Sequence, residues 1–301
     1  MVESRGEARR SREAGGPRVP GFTHLHTVSG FSVRYGASHP KRLAERAADR
    51  GMDALALTDR DTLAGAVRFA KAAAAAGIRP LFGVDLAVAP AGSLDGSGPG
   101  GRAAAGASYR RRVPVSGGAF VDESAPRALF LARDGATGWA ELCRLVTTAH
   151  APDGPGGYPA GGHGQPLVPW GALGGGGVFV LLGPGSEVGR ALAAGRPDRA
   201  ARLLAPWRER YGDALRLEAV HHARPGTGPG SLRLAARTVG FAAEQGVPAV
   251  LTNAVRYADP GQGPVADVLD AARRLVPVDP RAGSGASGGG RGSGWAGGRG
   301  G

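Results

Sequence analysis

From Gly21 to Pro90 short apolar runs alternate with helical segments, and nothing else in the chain limits the fold as much. Gly21–His26 reads as a short strand. Ser38-His39-Pro40 then offers a cap and an early proline, and Leu43, Ala44, Ala47 and Ala48 repeat at helical spacing up to Gly51. Ala54–Thr58 is a compact apolar strand ending at Asp59. Thr62–Ala76 is helical and closed by Gly77, and Arg79–Val88 holds the next strand. This β-α-β-α-β order is the signature of parallel strands joined by crossover helices.

The alternation resumes further on. Strands are expected at Ala128–Ala132, Val178–Leu182, Ala214–Val220 and Ala249–Thr252. Helices are expected at Gly138–Ala149, Glu187–Ala194, Pro197–Tyr211, Ser231–Gln245 and Pro264–Leu275. About seven strands in roughly 250 ordered residues suit a closed β/α barrel better than an open sheet. Of the 301 residues, 54 are Gly and 23 are Pro, and they concentrate between these elements. Residues 91–127 and 151–177 read as Gly-rich surface insertions, 1–20 as a disordered leader and 281–301 as a disordered Gly/Arg tail. That tail suits either a flexible linker or out-of-frame translation of GC-rich DNA, the second being favoured.

The net charge of +12 raises the question of nucleic acid. No segment concentrates it, and only Lys41 and Lys71 among 37 basic residues are lysine. Compositional bias explains that imbalance better than an evolved DNA-binding face. The single cysteine, Cys143, excludes an internal disulfide framework and a Cys-cluster zinc site, and lies among apolar helical neighbours that suggest burial. No run of 18 apolar residues exists, so no membrane span is expected, and the cytoplasm is the simplest compartment.

In barrels chemistry gathers at the C-terminal ends of strands. His24 and His26, two apart on an extended segment, face the same side, where neutral imidazoles can grip a metal. Taken alone they are polar strand-end residues. Asp59 follows a strand, Asp85 lies within one, and His150 closes a helix. Carboxylates and imidazoles so placed suit a multinuclear metal centre for phosphoester hydrolysis. Their ordinary alternatives are a helix cap, a polar rim residue and a C-terminal cation. His221 and His222 are adjacent on a strand and point oppositely, so they do not share one metal.

Six segments then occur in order: Gly21-Phe-Thr-His-Leu-His-Thr-Val-Ser-Gly-Phe-Ser-Val-Arg-Tyr-Gly-Ala37, Ala54-Leu-Ala-Leu-Thr-Asp-Arg-Asp-Thr-Leu-Ala-Gly65, Gly77-Ile-Arg-Pro-Leu-Phe-Gly-Val-Asp85, Leu142-Cys-Arg-Leu-Val-Thr-Thr-Ala-His150, Tyr211-Gly-Asp-Ala-Leu-Arg-Leu-Glu218 and Gly246-Val-Pro-Ala-Val-Leu-Thr-Asn-Ala-Val-Arg-Tyr257. Together they resemble the PHP (polymerase and histidinol phosphatase) domain, and more narrowly the one at the N-terminus of bacterial DNA polymerase III alpha subunits, replicative or error-prone. The resemblance runs over about residues 21–280. It implies a distorted (β/α)7 barrel, and a parent protein that is a DNA-directed DNA polymerase, a nucleotidyltransferase of replication or repair. The polymerase palm would lie beyond this chain, which reads as a truncated fragment. The implied partners are the remainder of the alpha subunit and, through the full protein, a proofreading exonuclease, a sliding clamp and DNA.

The metal ligands implied by the resemblance are only partly kept. His24 and His26 match, His150 matches by order, and Asp85 stands where the family has Glu. Tyr35 stands for Asp, Arg60 for His, Pro184 for Cys or His, and Ala254 and Arg256 for a late Asp-x-His pair. Arginine has no lone pair to donate and stays charged. The expected site is therefore a remnant, His24, His26, Asp85 and His150, insufficient for a divalent metal (Zn, Mn or Mg). Beside it Arg60 and Arg256 pair with Asp59 and Asp85, or form an anion pocket. No residue is assigned a catalytic role. The alternatives are a stand-alone metal-dependent phosphoesterase of histidinol-phosphatase type and a non-catalytic phosphate-binding module.

Overall fold

The computed structural model of the chain describes residues 21–91, 124–151, 166–276 and 278. The leader, the tail and most of both expected insertions lie outside the described residues.

Seven strands form one mixed sheet: β1 (Ala54–Leu57), β2 (Arg79–Ala87), β3 (Arg127–Ala132), β4 (Val178–Leu182), β5 (Leu215–Arg224), β6 (Gly230–Ser231) and β7 (Ala249–Thr252). The helices are α1 (Pro40–Asp49), α2 (Ala66–Ala76), α3 (Thr137–Ala149), α4 (Glu187–Ala193), α5 (Pro197–Tyr211), α6 (Leu232–Gln245) and α7 (Gly263–Arg274). The sheet runs β1-β2-β3-β4-β5-β6, with β7 also pairing β5. β1–β2, β4–β5 and β5–β7 are parallel, but β3 is antiparallel to both neighbours. The uniform parallel order expected from the sequence is therefore broken at one strand, and no helix among the described residues separates β2 from β3.

The segment 24–28 completes the ring. It makes no regular ladder, yet Ala56 N–H donates to His24 C=O and Thr58 N–H to Thr27 C=O on one side. On the other, Val28 N–H donates to Val255 C=O and Val255 N–H to His26 C=O. This irregular strand joins β1 to the exit of β7 and closes a distorted α/β barrel.

Alternation of side chains decides what fills it. Ala56, Leu129, Leu131 and Leu181 form one inner cluster, with Leu25, Leu81, Phe179 and Val250 against it. The opposite strand faces meet the helices. Phe130, Val180 and Leu217 pack with Leu142, Leu145, Leu204 and Trp207, while Leu55 and Leu57 pack with Leu43, Phe69 and Ala73 of α1 and α2. Val168 and Leu173, expected in a Gly-rich loop, are buried in the larger cluster, and Val168 bridges Val88. Cys143 is half-buried, less enclosed than its neighbours suggested. Helix ends follow local chemistry: His39 rather than Ser38 caps α1, Ser231 caps α6, and Gly77 and Gly246 close helices at positive φ.

Candidate functional site

The site lies at the mouth of the barrel, where β1 and β2 outrun their regular ladder. Arg60 bridges Asp85, Asp85 N–H donates to Asp59 C=O at 3.1 Å, and Asp61 N–H donates to Asp85 C=O at 3.0 Å. Asp59, Arg60 and Asp61 are thus set beside Asp85 by backbone pairing alone. Because β3 runs backwards, its first residue, Arg127, reaches the same end of the barrel.

Asp85 is almost fully buried and held by two guanidiniums. Arg60 Nε donates to Oδ2 at 3.2 Å, and Arg127 Nε donates to Oδ1 at 3.0 Å. Arg127 also donates to the Asp85 carbonyl at 2.6 Å and to Asp61 Oδ1 at 2.9 Å. Burial pushes the Asp85 carboxyl upward, but Arg127, Arg60 and His26 outweigh it and hold it below its ordinary value. Arg127 is driven well above the usual arginine range, since Asp85 and Asp61 outweigh its own burial.

Tyr35 is the second organiser. Arg60 lies 3.5 Å from its ring centroid, Arg256 4.2 Å and Arg273 4.9 Å. Arg256 forks onto Asp270, at 2.7 and 2.9 Å, and donates to the Tyr35 carbonyl at 2.9 Å. Asp270 is held below its ordinary value, burial being outweighed by Arg256 and Arg273.

Deeper in, His26 Nδ1 lies 2.8 Å from Glu218 Oε1, which also accepts from the Thr252 hydroxyl at 2.6 Å. Burial lowers the His26 pKa, yet Glu218, with Asp85 behind it, raises it overall. His24 packs edge-on to Phe22 at 4.9 Å. Its Nδ1 is buried without a hydrogen bond, and burial lowers its pKa. His150 Nε2 lies 2.7 Å from the Asp61 carbonyl.

Asp59 departs from its expected pairing with the arginines. It takes hydrogen bonds from Ser29 N–H at 2.6 Å and from the Ser29 and Ser32 hydroxyls at 2.9 and 2.7 Å. The loop at 29–32 satisfies it, so its carboxylate anchors that loop; burial outweighs these bonds and raises its pKa. Arg256 likewise pairs with Asp270, not with Asp59 or Asp85.

These donors do not fit a divalent metal. Both Asp85 oxygens, one His26 nitrogen and one His150 nitrogen already have partners, and Arg60 adds a fixed positive charge beside Asp85. Among the described residues no group of three or more His, Cys, Asp or Glu could hold a metal ion. Nor is any helix among them long and apolar enough to cross a membrane.

Comparison with known proteins places the chain. The model of the PHP domain matches residues 24–222. The error-prone DNA polymerase of Mycobacterium tuberculosis (strain H37Rv) is 34% identical over 293 residues, covering 92% of this chain and 23% of that protein. The DNA polymerase III subunit alpha of Xylella fastidiosa is 29% identical over 256 residues, covering 78% and 18%. The match falls in the N-terminal region of such polymerases. The chain spans about a quarter of the length of the curated relatives it matches. Among solved structures, an amidohydrolase from Chromobacterium violaceum aligns with a TM-score of 0.43 at 18% identity, over 80% of this chain and 88% of that one. From the irregular strand that closes the barrel to His222 in β5, the residues are those of a PHP domain, and the chain belongs to that family.

Proposed function

We propose that the chain is the N-terminal PHP domain of a DNA polymerase of the error-prone or replicative alpha type. It serves that polymerase as a structural platform, not as a phosphoesterase. The double guanidinium clamp on Asp85 carries this reading: two arginines balance its charge and set two fixed positive charges where a cation would have to sit. The aspartate, two arginines and Tyr35 cross-link the mouth of the barrel in place of a metal. In this reading DNA, a sliding clamp and a proofreading exonuclease are partners of the full polymerase, and the cytoplasm is the compartment the reading implies.

The test is an assay of the purified chain on p-nitrophenyl phosphate and histidinol phosphate with Zn²⁺, Mn²⁺ or Mg²⁺, together with its metal content by mass spectrometry. No turnover above an Asp85→Ala variant and no stoichiometric metal are expected. Metal-dependent turnover that His24→Ala and His26→Ala abolish would overturn the proposal.

A further inference from the structure

The two ends of the barrel treat arginine differently. At the mouth Arg60, Arg127, Arg256 and Arg273 are matched by Asp85, Asp61 and Asp270. At the floor, where β2, β4 and β5 begin and the reversed β3 finishes, the arginines meet carbonyls instead. Arg133 lies two residues past Leu131 of the inner cluster, and its N–H extends the pairing with β4 by donating to Gly177 C=O at 2.9 Å. Arg216 stands opposite Leu181 of the same cluster in the β4–β5 register. Alternation therefore turns both toward the barrel axis. They converge on Phe179, with guanidinium carbons 4.9 and 5.3 Å from its ring centroid. Arg79, exposed, begins β2 in the side-chain phase of Leu81 and adds a third cation to this end. Arg133 donates to Gly176 C=O at 3.3 Å, and Arg216 to the carbonyls of Asp213 and Leu215 at 2.6 and 2.8 Å. A carbonyl dipole orients a guanidinium without cancelling its charge. Among the described residues neither Arg133 nor Arg216 forms an ion pair. Asp134, beside Arg133 in sequence, spends Oδ1 on the N–H groups of Ala136 and Gly138, both at 3.0 Å, at the start of α3.

We infer that the barrel floor is a phosphate-binding site, in which Arg133 and Arg216 take the phosphate oxygens of a free nucleotide or of a single-strand backbone beside Phe179. The inference stands apart from the platform reading, which concerns the mouth. Only Nη1 of each guanidinium is engaged by a carbonyl, so the remaining N–H groups of both forks are left for an oxyanion. The ring and the carbonyls already fix the two side chains, which lowers the ordering cost of binding. Arg133 is exposed and Arg216 half-buried, so a ligand reaches both from solvent. Two forks around one ring suit linked phosphates, as in a triphosphate or along a strand, better than a lone carboxylate. Phe179 is itself half-buried and supplies an aromatic surface against which a sugar or base can pack, which an acidic peptide has less use for.

The probes are deoxythymidine triphosphate, titrated onto the purified full chain by calorimetry, and a fluorescent oligothymidylate, followed by anisotropy. Arg133→Gln with Arg216→Gln should weaken the binding at least tenfold. Arg68→Gln with Arg233→Gln removes the same charge from two exposed helix positions and should leave it within twofold. Arg133→Lys with Arg216→Lys keeps the charge but loses the forks, and should weaken binding severalfold at an unchanged melting temperature. Circular dichroism establishes that each variant is folded, and the lysine pair decides the matter if the glutamine pair is not. Binding of the triphosphate alone names a free nucleotide as the source. Binding of the strand, with a salt slope that the floor variants reduce by about one, names the backbone; either result, with the expected variant effects, supports the site. Absence of binding by the wild type overturns the inference, as does equal weakening by the floor and control pairs. Tighter binding of oligoglutamate than of either probe assigns the floor to an acidic polypeptide and also overturns it.

Discussion

His26 Nδ1 and Glu218 Oε1 lie 2.8 Å apart across the barrel interior, joining the irregular closing strand to the middle of β5. The raised pKa of His26 fixes the sign of its pH dependence. The folded state binds the proton more tightly than the unfolded one, so the pair's contribution is fully present below the ordinary value of 6.5. It is lost as pH rises through the higher folded-state value. Urea unfolding of the wild type should weaken over that interval, and Glu218→Gln should flatten the slope while costing about 1–3 kcal/mol at low pH. A slope unchanged by Glu218→Gln removes the pair from the account.

Gly183 leaves the room this carboxylate occupies. A β-carbon there would fall inside the contact distance of Glu218 Oε2. Gly183→Ala should therefore displace Glu218, cost on the order of 1–3 kcal/mol by overpacking, and abolish the same pH slope. Melting curves at two pH values measure both effects. An alanine variant as stable as the wild type shows that β5 can yield.

At Asp85 the sign is the opposite. Its folded-state pKa is depressed, so its contribution is held above its ordinary value of 3.8 and is lost as pH falls through the lower folded value. Asp85→Ala should cost about 3–5 kcal/mol near neutrality, because Arg60 and Arg127 are then left in a buried site without that carboxylate. The deficit should shrink as pH falls below the ordinary value of 3.8 and through the lower folded one. Chemical denaturation across pH 2–7 tests it; a constant deficit would mean that lost packing, not charge, sets the cost.

Most of this barrel is legible in the sequence, since the segments Val178–Leu182, Pro197–Tyr211 and Ala249–Thr252 follow from periodicity with their observed limits. The reversal of β3 is not legible. Its apolar residues read the same in either direction, and the pairing that sets direction is long-range. That one reversal conceals Arg127: a search of strand C-termini passes over a residue at a strand's start. Glu218 escapes for a related reason. It lies inside β5, where alternation says only that it faces the interior, and its partner His26 is 192 residues away. Asp270 and Arg273 look like ordinary helix-surface charges until α7 is seen turned inward.

Arg256→Lys tests the latch on α7. Lysine keeps the charge but cannot fork onto Asp270 while stacking on Tyr35. Amide exchange within 263–274 should accelerate, with a loss of about 1–2 kcal/mol in the opening free energy of that helix and little change in β3 or β4. Exchange that stays as slow as in the wild type would show that Arg273 alone holds the helix.

Metal removal supplies the last test. A cation bound to the folded state alone would raise stability with its concentration, and a chelator would lower it. Here the charges that cross-link the mouth are covalent parts of the chain: Arg60 and Arg127 on Asp85, Arg256 and Arg273 on Asp270. The melting temperature should therefore be the same in EDTA and in micromolar Zn²⁺ or Mn²⁺. It should fall in high salt, which screens the half-exposed pairs more than the buried clamp. The variants separate the two sources of cohesion. Arg60→His removes one fixed charge beside Asp85 and supplies a ligand-type nitrogen next to His26, so its melting temperature should begin to respond to Zn²⁺. A Zn²⁺-dependent shift already present in the wild type would return the site to metal chemistry and take the platform reading with it.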